Sequence, residues 1–398
     1  MDKLNIEILM RNVLLVGIGG VYNYGCEAII RGTVSILHMI DPNIKVSYAS
    51  YNYEDDVRRL EGCNVTIINR PKRKRWNIHN VVRKLLSFLH CEYVVPYDSI
   101  GWVKNYDTLF SIGGDMYTLN PDSSFYKSLP LFCEKCTTLG LKYVLWGASV
   151  GKFEKNPAAL DFYKRHFLKV DLFVLREKVS FDYLQDLSVQ NPIILAPDPA
   201  YFVATEIRKE EKQTKRVIGL NLSPLSALYE YKDIKKAIER QTQAIIRLID
   251  AMDINIILLP HVISPNYNDN DLYYMKEIYE KLPQVYKTKV SLVDTDPSFV
   301  GLKREIMKCD YVIAARMHCA VNALSVGVPS VFLAYSEKAK GMSEYIYDSQ
   351  KPVIPLSQFE DTVYLSNLLE RWNYPSKIEE IRNFDFKVIL DKLCNAKK

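Results

Sequence analysis

No apolar run in this 398-residue chain approaches the roughly 20 residues that a membrane span needs. The opening residues, Met1-Asp2-Lys3-Leu4-Asn5, lack the basic segment, apolar core and small-residue cleavage site of a signal peptide. Cysteine is sparse and scattered. Of eight cysteines only Cys133 and Cys136 have CxxC spacing, and without a second pair zinc is not expected. Reduced thiols in a cytoplasmic protein are the expectation. A net charge of +5 is too small by itself to imply a nucleic-acid partner. No internal repeat is visible. What remains, 48% hydrophobic and 25% charged residues, is ordinary globular composition at a length comfortable for two α/β domains.

Short apolar runs without alternation recur, each ending in glycine or a polar signature. Val13–Val16 runs into Gly17-Ile18-Gly19-Gly20, then Asn23-Tyr24-Gly25-Cys26-Glu27, which opens an apolar helix. Thr108–Ile112 ends in Gly113-Gly114-Asp115, Lys142–Leu145 in Trp146-Gly147-Ala148-Ser149, and Leu172–Leu175 in Arg176-Glu177. Val217–Leu220, Ile254–Leu259 and Tyr311–Ala315 end in Asn221-Leu222-Ser223-Pro224, Pro260-His261 and Arg316-Met317-His318. A further strand is expected over Ser330–Ala334. Such runs between helix-length segments predict parallel strands covered on both faces. Ligands then bind beyond the carboxyl ends of the strands. Arg316 and His318, where a strand gives way to a helix N-terminus, suit an anion.

The charged stretch Thr205–Arg216 carries no apolar face and reads as a linker. The expected layout is two doubly wound, Rossmann-like domains facing across a cleft: residues 1–205, a linker over 206–216, and residues 217–375. A C-terminal helix over 376–398 is expected to return toward the first domain.

Taken in order, Asn23-x-Gly25-x-Glu27, Gly113-Gly114-Asp115, Arg176-Glu177-x-x-Ser180, Pro197-Asp198-Pro199-Ala200, Leu259-Pro260-His261 and Arg316-x-His318 resemble the polysaccharide pyruvyl transferases, from about residue 12 to residue 342. The resemblance implies a GT-B-like fold. It also implies transfer of the enolpyruvyl carbons of phosphoenolpyruvate onto two sugar hydroxyls as a cyclic ketal, with release of phosphate. The acceptor would be a sugar or lipid-linked oligosaccharide in a cell-surface polysaccharide precursor. Phosphoenolpyruvate is then a donor substrate, and no cofactor or metal is expected. Two positions depart from the common pattern: Cys26, where many members have Asp, and Asp115, where many have a third glycine.

With that donor, Arg316 and Arg176 are expected to pair with its carboxylate and phosphate, because a guanidinium offers each anion two charge-assisted hydrogen bonds. Histidine side chains serve proton transfer in either direction, and His318 is the expected proton-transfer group. On the first domain Asp115, Asn23, Glu27 and Tyr117 are expected to contact the sugar, with Asp115 or Glu27 as general base. Gly114, His261 and Lys340 complete the expected binding set. The first domain is the expected acceptor side and the second the donor side. Plainer accounts stand beside these: Asn23 and Gly25 shaping a turn, Glu27 partnering a helix cap, Arg176 pairing with Glu177 or Asp171. His38, His79, His90 and His166 are read as structural.

Two more segments need a reading. Asp294-Thr295-Asp296 has DxD spacing, but Pro297 follows and Ser298–Lys308 reads as a helix, so Asp296 is expected to be its N-cap and to bind no metal. Arg70–Trp76 is a basic run leading into an apolar stripe of Ile78, Val81, Val82, Leu85, Leu86 and Leu89. The favoured reading packs that stripe on the sheet; the other lays residues 70–89 against an anionic membrane at the inner face of the bilayer. Two other functions fit the same fold: a glycosyltransferase using a nucleotide sugar, and a non-catalytic glycan-binding relative.

Overall fold

The computed structural model describes residues 10–71, 78–88, 100–120, 122–203, 215–334 and 338–395. The linker expected over 206–216, the basic residues Lys72–Arg75 and the chain start fall largely or wholly outside them. Contacts divide the chain into two compact units: residues 1–20, 33–198 and 385–398 in the first, residues 21–32 and 199–384 in the second.

The first unit is built on seven parallel strands: β1 (Asn12–Val16), β2 (Lys45–Ser50), β3 (Thr66–Asn69), β4 (Thr108–Ile112), β5 (Lys142–Ala148), β6 (Leu172–Leu175) and β7 (Ile193–Leu195). Their order, β3-β2-β1-β4-β5-β6-β7, reverses between β1 and β4. A doubly wound sheet opens its ligand crevice at that reversal. Gly17 has φ of +114°, and a Cβ there would lie 2.3 Å from the Ile112 carbonyl oxygen. Only glycine lets the ends of β1 and β4 approach so closely. Helix α1 (Tyr24–Ile40) follows β1, and α2 (Ile78–Phe88) follows β3. On α2, Ile78 is 72% and Leu85 61% exposed, with Val81 also exposed, so much of the expected core-facing stripe faces solvent instead. Arg70 is buried, its guanidinium over the Tyr51 and Phe132 rings, and belongs to no exposed basic loop.

Helix α3 (Ser128–Thr137) carries Cys133 and Cys136, both buried thiols. Burial pushes Cys136 up to about 12, far from thiolate chemistry. Helix α4 (Pro157–Phe167) starts at Asn156, whose side chain accepts from the Ala158 and Ala159 amides, with Pro157 in the first turn. Between these helices and the sheet runs a row of buried polar groups. Ser111 Oγ meets the Tyr117 hydroxyl at 2.7 Å, Tyr117 meets Tyr143 at 2.6 Å, and Tyr143 meets His166 Nε2 at 3.1 Å. His166 Nδ1 ends the row on Glu134 at 2.7 Å. Burial lowers the His166 pKa despite Glu134. Tyr117, expected to touch a sugar, is 1% exposed and spends its hydroxyl inside this core.

The second unit has six parallel strands: β8 (Val217–Asn221), β9 (Asn255–Leu258), β10 (Val290–Leu292), β11 (Tyr311–Ala314), β12 (Ser330–Ala334) and β13 (Val353–Pro355). They run β10-β9-β8-β11-β12-β13, with the reversal between β8 and β11. Helices α5 (Pro224–Tyr231), α6 (Ile234–Met252), α7 (Asp271–Lys281), α8 (Ser298–Ile306), α9 (Met317–Leu324) and α10 (Lys338–Tyr347) alternate with them. On α6 the residues Ile238, Ile245, Leu248 and Ile249 fall on one helical face and are buried against β8 and β9. Each such side chain contributes about 1.5–3 kcal/mol. Asp233 caps the helix at the Lys235 and Lys236 amides.

The start of α1 groups with this unit, not with the first domain expected over 1–205. Asn23 forms an antiparallel bridge with Val262, Ile263 N donates to Tyr22 O, and Tyr24 N donates to His261 O. Gly32 lies so close to Pro199 that a Cβ would meet its carbonyl oxygen at 1.8 Å. The final segment, 385–398, groups with the first unit, where Phe386 packs on Trp146. Among the described residues, no helix is long and apolar enough to cross a membrane.

Tyr117→Phe leaves the Ser111 and Tyr143 hydroxyls each one partner short, so urea unfolding should show a loss of about 1–3 kcal/mol. An unchanged midpoint would show the row to be energetically idle. His166 supplies a pH test. With its folded pKa lowered, both states are neutral above about pH 6.5; below that the unfolded chain takes up the proton first and stability falls. His166→Gln should therefore lessen the loss of stability between pH 7.5 and 5.5, by up to about 1.4 kcal/mol per pH unit.

Candidate functional site

Each sheet gathers polar residues at the carboxyl ends of its strands, after β4, β5, β6 and β7 on the first unit and after β8, β9 and β11 on the second. On the first unit, Arg176 follows β6 and is 2% exposed. Its Nη1 donates to Asp198 Oδ2 at 2.9 Å, and Nε and Nη2 donate to Ser149 Oγ at 3.3 and 3.1 Å. The expected pairing with Glu177 or Asp171 is replaced by Asp198, itself fully buried. Burial opposes the charge on Arg176, but Asp198 and Asp115 outweigh it and raise its pKa. Gly114 is backed by this guanidinium, for a Cβ would lie 2.4 Å from Nη2. Asp115 lies 3.7 Å from Nη2 with its side chain 62% exposed. Arg176, Gly114 and Asp115 are thus brought together, and Tyr117 is not among them.

On the second unit the centre is Asp271, at the start of α7 and fully buried. Its Oδ2 accepts from the His261 and Val262 amides and from Asn221 Nδ2. Its Oδ1 accepts from Arg316 Nε at 3.1 Å and Nη2 at 2.9 Å. Asn221, the last residue of β8, also accepts from Arg316 N and donates to Leu259 O. Asp269 takes Arg316 Nη2 at 2.6 Å. Burial raises the Asp271 pKa while Arg316 opposes it. Only one side of the guanidinium is occupied. Nη1 makes no hydrogen bond among the described residues.

His318 stands in the first turn of α9 against the backbone of Gly25; a Cβ there would lie 2.7 Å from the ring. His261 is 1% exposed, with Tyr24 and Phe299 rings edge-on to it. Its Nε2 has no partner among the described residues. Burial, then His318, Arg316 and Lys303, hold its pKa well below the usual value, so the ring is neutral. Lys303 on α8 is also buried and hydrogen-bonds Ser325. Burial and Arg382 pull its ammonium down to about 7. Lys340 sits half-buried in the first turn of α10, after β12.

Two expected sugar contacts have other work here. Asn23 caps α1: its side chain accepts from Gly25 N and its carbonyl from Cys26 N and Glu27 N. Glu27 is fully buried, one oxygen on Arg31 Nε at 2.8 Å and the other on Phe299 N at 3.1 Å. With both oxygens engaged, it clasps the start of α8 and leaves the general-base pair. Asp296 accepts from the Tyr24 hydroxyl and from Ser298 N, two residues ahead of α8, and Pro297 takes the cap position instead of the first turn.

In the sequence Asn221 reads only as the end of a strand, and Asp269, Asp271 and Lys303 carry no signal there. The two aspartates lie in the polar run Asn266–Asp271, which looks like a solvated loop until α7 folds it under Arg316. The first test of this geometry is energetic. Arg316→Ala leaves the buried Asp271 carboxylate without its cation and should cost about 3–5 kcal/mol in thermal or urea unfolding. Adding Asp271→Asn should recover part of that. Equal stability of Arg316→Ala and the parent would remove the pair as a structural element.

A family model described as polysaccharide pyruvyl transferase matches residues 23–337. The amylovoran biosynthesis protein AmsJ of Erwinia amylovora is 21% identical over 369 residues, covering 84% of this chain and 86% of that protein. Among solved structures, the UDP-GlcNAc 2-epimerase of Neisseria meningitidis bound to UDP-GlcNAc superposes with a TM-score of 0.56 at 14% identity, over 96% of this chain and 100% of that one. The UDP-GlcNAc 2-epimerase of Methanocaldococcus jannaschii gives 0.55 at 11% identity, over 97% and 100%. At such identities the likeness is one of fold, two Rossmann-like domains of GT-B type. The family match spans most of the chain and takes in both sheet edges, and the chain belongs to the polysaccharide pyruvyl transferase family.

Proposed function

We propose that the enzyme moves the pyruvyl carbons of phosphoenolpyruvate onto two hydroxyls of a sugar in a polysaccharide precursor. The observation that carries this, beside family membership, is the second unit's edge. There Arg316 is held on one side by Asp271 and Asp269, and its Nη1 remains open beside the N-terminus of α9. A carboxylate or phosphate oxygen can join Nη1 near the positive end of α9 without displacing either aspartate.

In this reading His318 delivers a proton to the donor's methylene carbon, and the central carbon becomes cationic in character. One sugar hydroxyl adds to it and loses its proton. The carbon–oxygen bond to phosphate then breaks, the second hydroxyl closes the ketal, and its proton leaves with phosphate. One proton ends on carbon and one on phosphate, matching the two the hydroxyls lose. His261, neutral and buried, keeps a ring nitrogen for hydrogen bonding in the same cluster. Asp115 remains the exposed carboxylate for general-base work, and Arg176 an anion-pairing group, each on the first unit's edge.

The exposed row of Ile78, Val81 and Leu85 on α2 supports peripheral contact with anionic lipid, where a lipid-linked acceptor would reside. Lys72–Arg75, just ahead of it in sequence, supply matching charge.

The test is phosphate release from phosphoenolpyruvate across a panel of diol sugars, with mass gain of the acceptor. His318→Gln should lower turnover by roughly 10²–10⁴-fold while donor affinity holds. Near-parent turnover would remove His318 from proton transfer. Stabilisation by a nucleotide sugar with no phosphate release from phosphoenolpyruvate would favour glycosyl transfer instead.

A further inference from the structure

The helix α5 carries Leu225, Leu228 and Tyr229 at helical spacing, all exposed. Beside it a short 3₁₀ turn, Tyr267–Asp269, presents Tyr267, 52% exposed, stacked on Tyr273, 49% exposed, with ring centroids 5.7 Å apart. A pocket opens between these elements, lined by Pro224, Leu228, Ile234, Tyr267, Asn268 and Tyr274. Exposed apolar groups gathered in this way mark a binding surface more often than scattered ones do. Neither the Tyr267 nor the Tyr273 hydroxyl, nor the side-chain carboxamide of Asn268, finds a hydrogen-bond partner among the described residues, while the Asn268 backbone N–H donates to Asn266 Oδ1. The floor is satisfied, since the Tyr274 hydroxyl donates to Gln241 at 2.8 Å. The next residue of the turn, Asp269, is the carboxylate on Arg316. The surface is therefore continuous with the edge assigned to chemistry.

The rim names the occupant. Aromatic faces with open phenol and amide groups suit a ring that is apolar on its C–H faces and hydroxylated at its edges, which is a sugar. An anionic membrane would call for lysines around the tyrosines. The turn carries Asn266, Asn268, Asp269 and Asn270 instead; Lys232 lies over Tyr229 and not over the stacked pair, and Arg316 is engaged by Asp269. We propose that the exposed faces of Tyr267 and Tyr273, with the Asn268 carboxamide beside them, bind outer sugar rings of an oligosaccharide acceptor, so that the second unit, expected to hold the donor, also carries part of the acceptor. This rests on the pyruvyl-transfer reading for its link to catalysis, but the binding can be read separately.

The experiment uses the full chain, cellotetraose, a β-1,4-linked galactotetraose and free glucose as probes, and saturation-transfer NMR. Tyr267→Ala, Tyr273→Ala and the double variant are compared with the parent, and equal melting temperatures check that these half-exposed positions leave the fold intact. The parent should receive a signal from at least one tetrasaccharide and little from glucose, and the double variant should bind about tenfold more weakly or worse. Phosphoenolpyruvate affinity, by calorimetry, should stay within about twofold of the parent, because Arg316 and His318 are untouched. No tetrasaccharide binding by the parent, or equal binding by the double variant, overturns the proposal. Loss of binding to phosphatidylglycerol vesicles in place of sugar overturns it in favour of a membrane surface. If the tyrosines carry glycan binding but the parent neither binds nor consumes phosphoenolpyruvate, the pyruvyl-transfer reading fails and the glycan subsite stands.

Discussion

The second unit's working edge depends on one buried carboxylate. Asp271 takes hydrogen bonds from the chain after β9, from the last residue of β8, and from the arginine after β11. Three loops that leave separate strands are thereby fixed on a single side chain. Its desolvation is expensive, and it is tolerated because five N–H donors surround it, two of them from the Arg316 guanidinium. The charge arithmetic has a chemical side. One arginine facing two aspartates is not a strongly positive site, so an anion bound in the proposed way would rest on Nη1 and the positive end of α9.

Much of the architecture was legible because parallel strands covered on both faces must be apolar. Thr108–Ile112, Leu172–Leu175 and Ser330–Ala334 appear with the bounds their sequences suggest, and the runs ending at Arg176 and Arg316 are strands. Four of the five strands that escaped notice are explicable. Ile193–Leu195, Val290–Leu292 and Val353–Pro355 are three-residue strands at or beside sheet edges, too short for a period to register. Lys45–Ser50 buries two serines and a tyrosine, and polar residues in a buried strand hide it.

The site was legible by position and less so by role. Sequence locates polar residues at strand ends, but it cannot say whether such a residue faces a ligand or another residue. Asn23 and Glu27 turned inward because backbone amides at two helix starts required acceptors, and a nearby carboxamide and carboxylate met that need first. Tyr117 turned inward because the core already held hydroxyls at Ser111 and Tyr143. The converse held for Asp269 and Asp271, which look like loop solvation in sequence and act as the clamp on Arg316. Long-range partners decide these outcomes, and no local spacing encodes them.

The buried row from Ser111 to Glu134 has a direction. A neutral His166 gives its one proton to the Glu134 carboxylate, so its other nitrogen can only accept. Tyr143 must then donate to His166, Tyr117 to Tyr143, and Ser111 to Tyr117. The O–H dipoles align head to tail, with their positive ends toward the carboxylate. Glu134 is partly exposed, yet its charge sets the orientation of a proton on β4, the strand that runs into Gly113-Gly114-Asp115. A cation in its place would force every hydroxyl along the row to turn around. The first unit thus reads the sign of one surface charge at its own sheet edge, through four protons and no moving backbone.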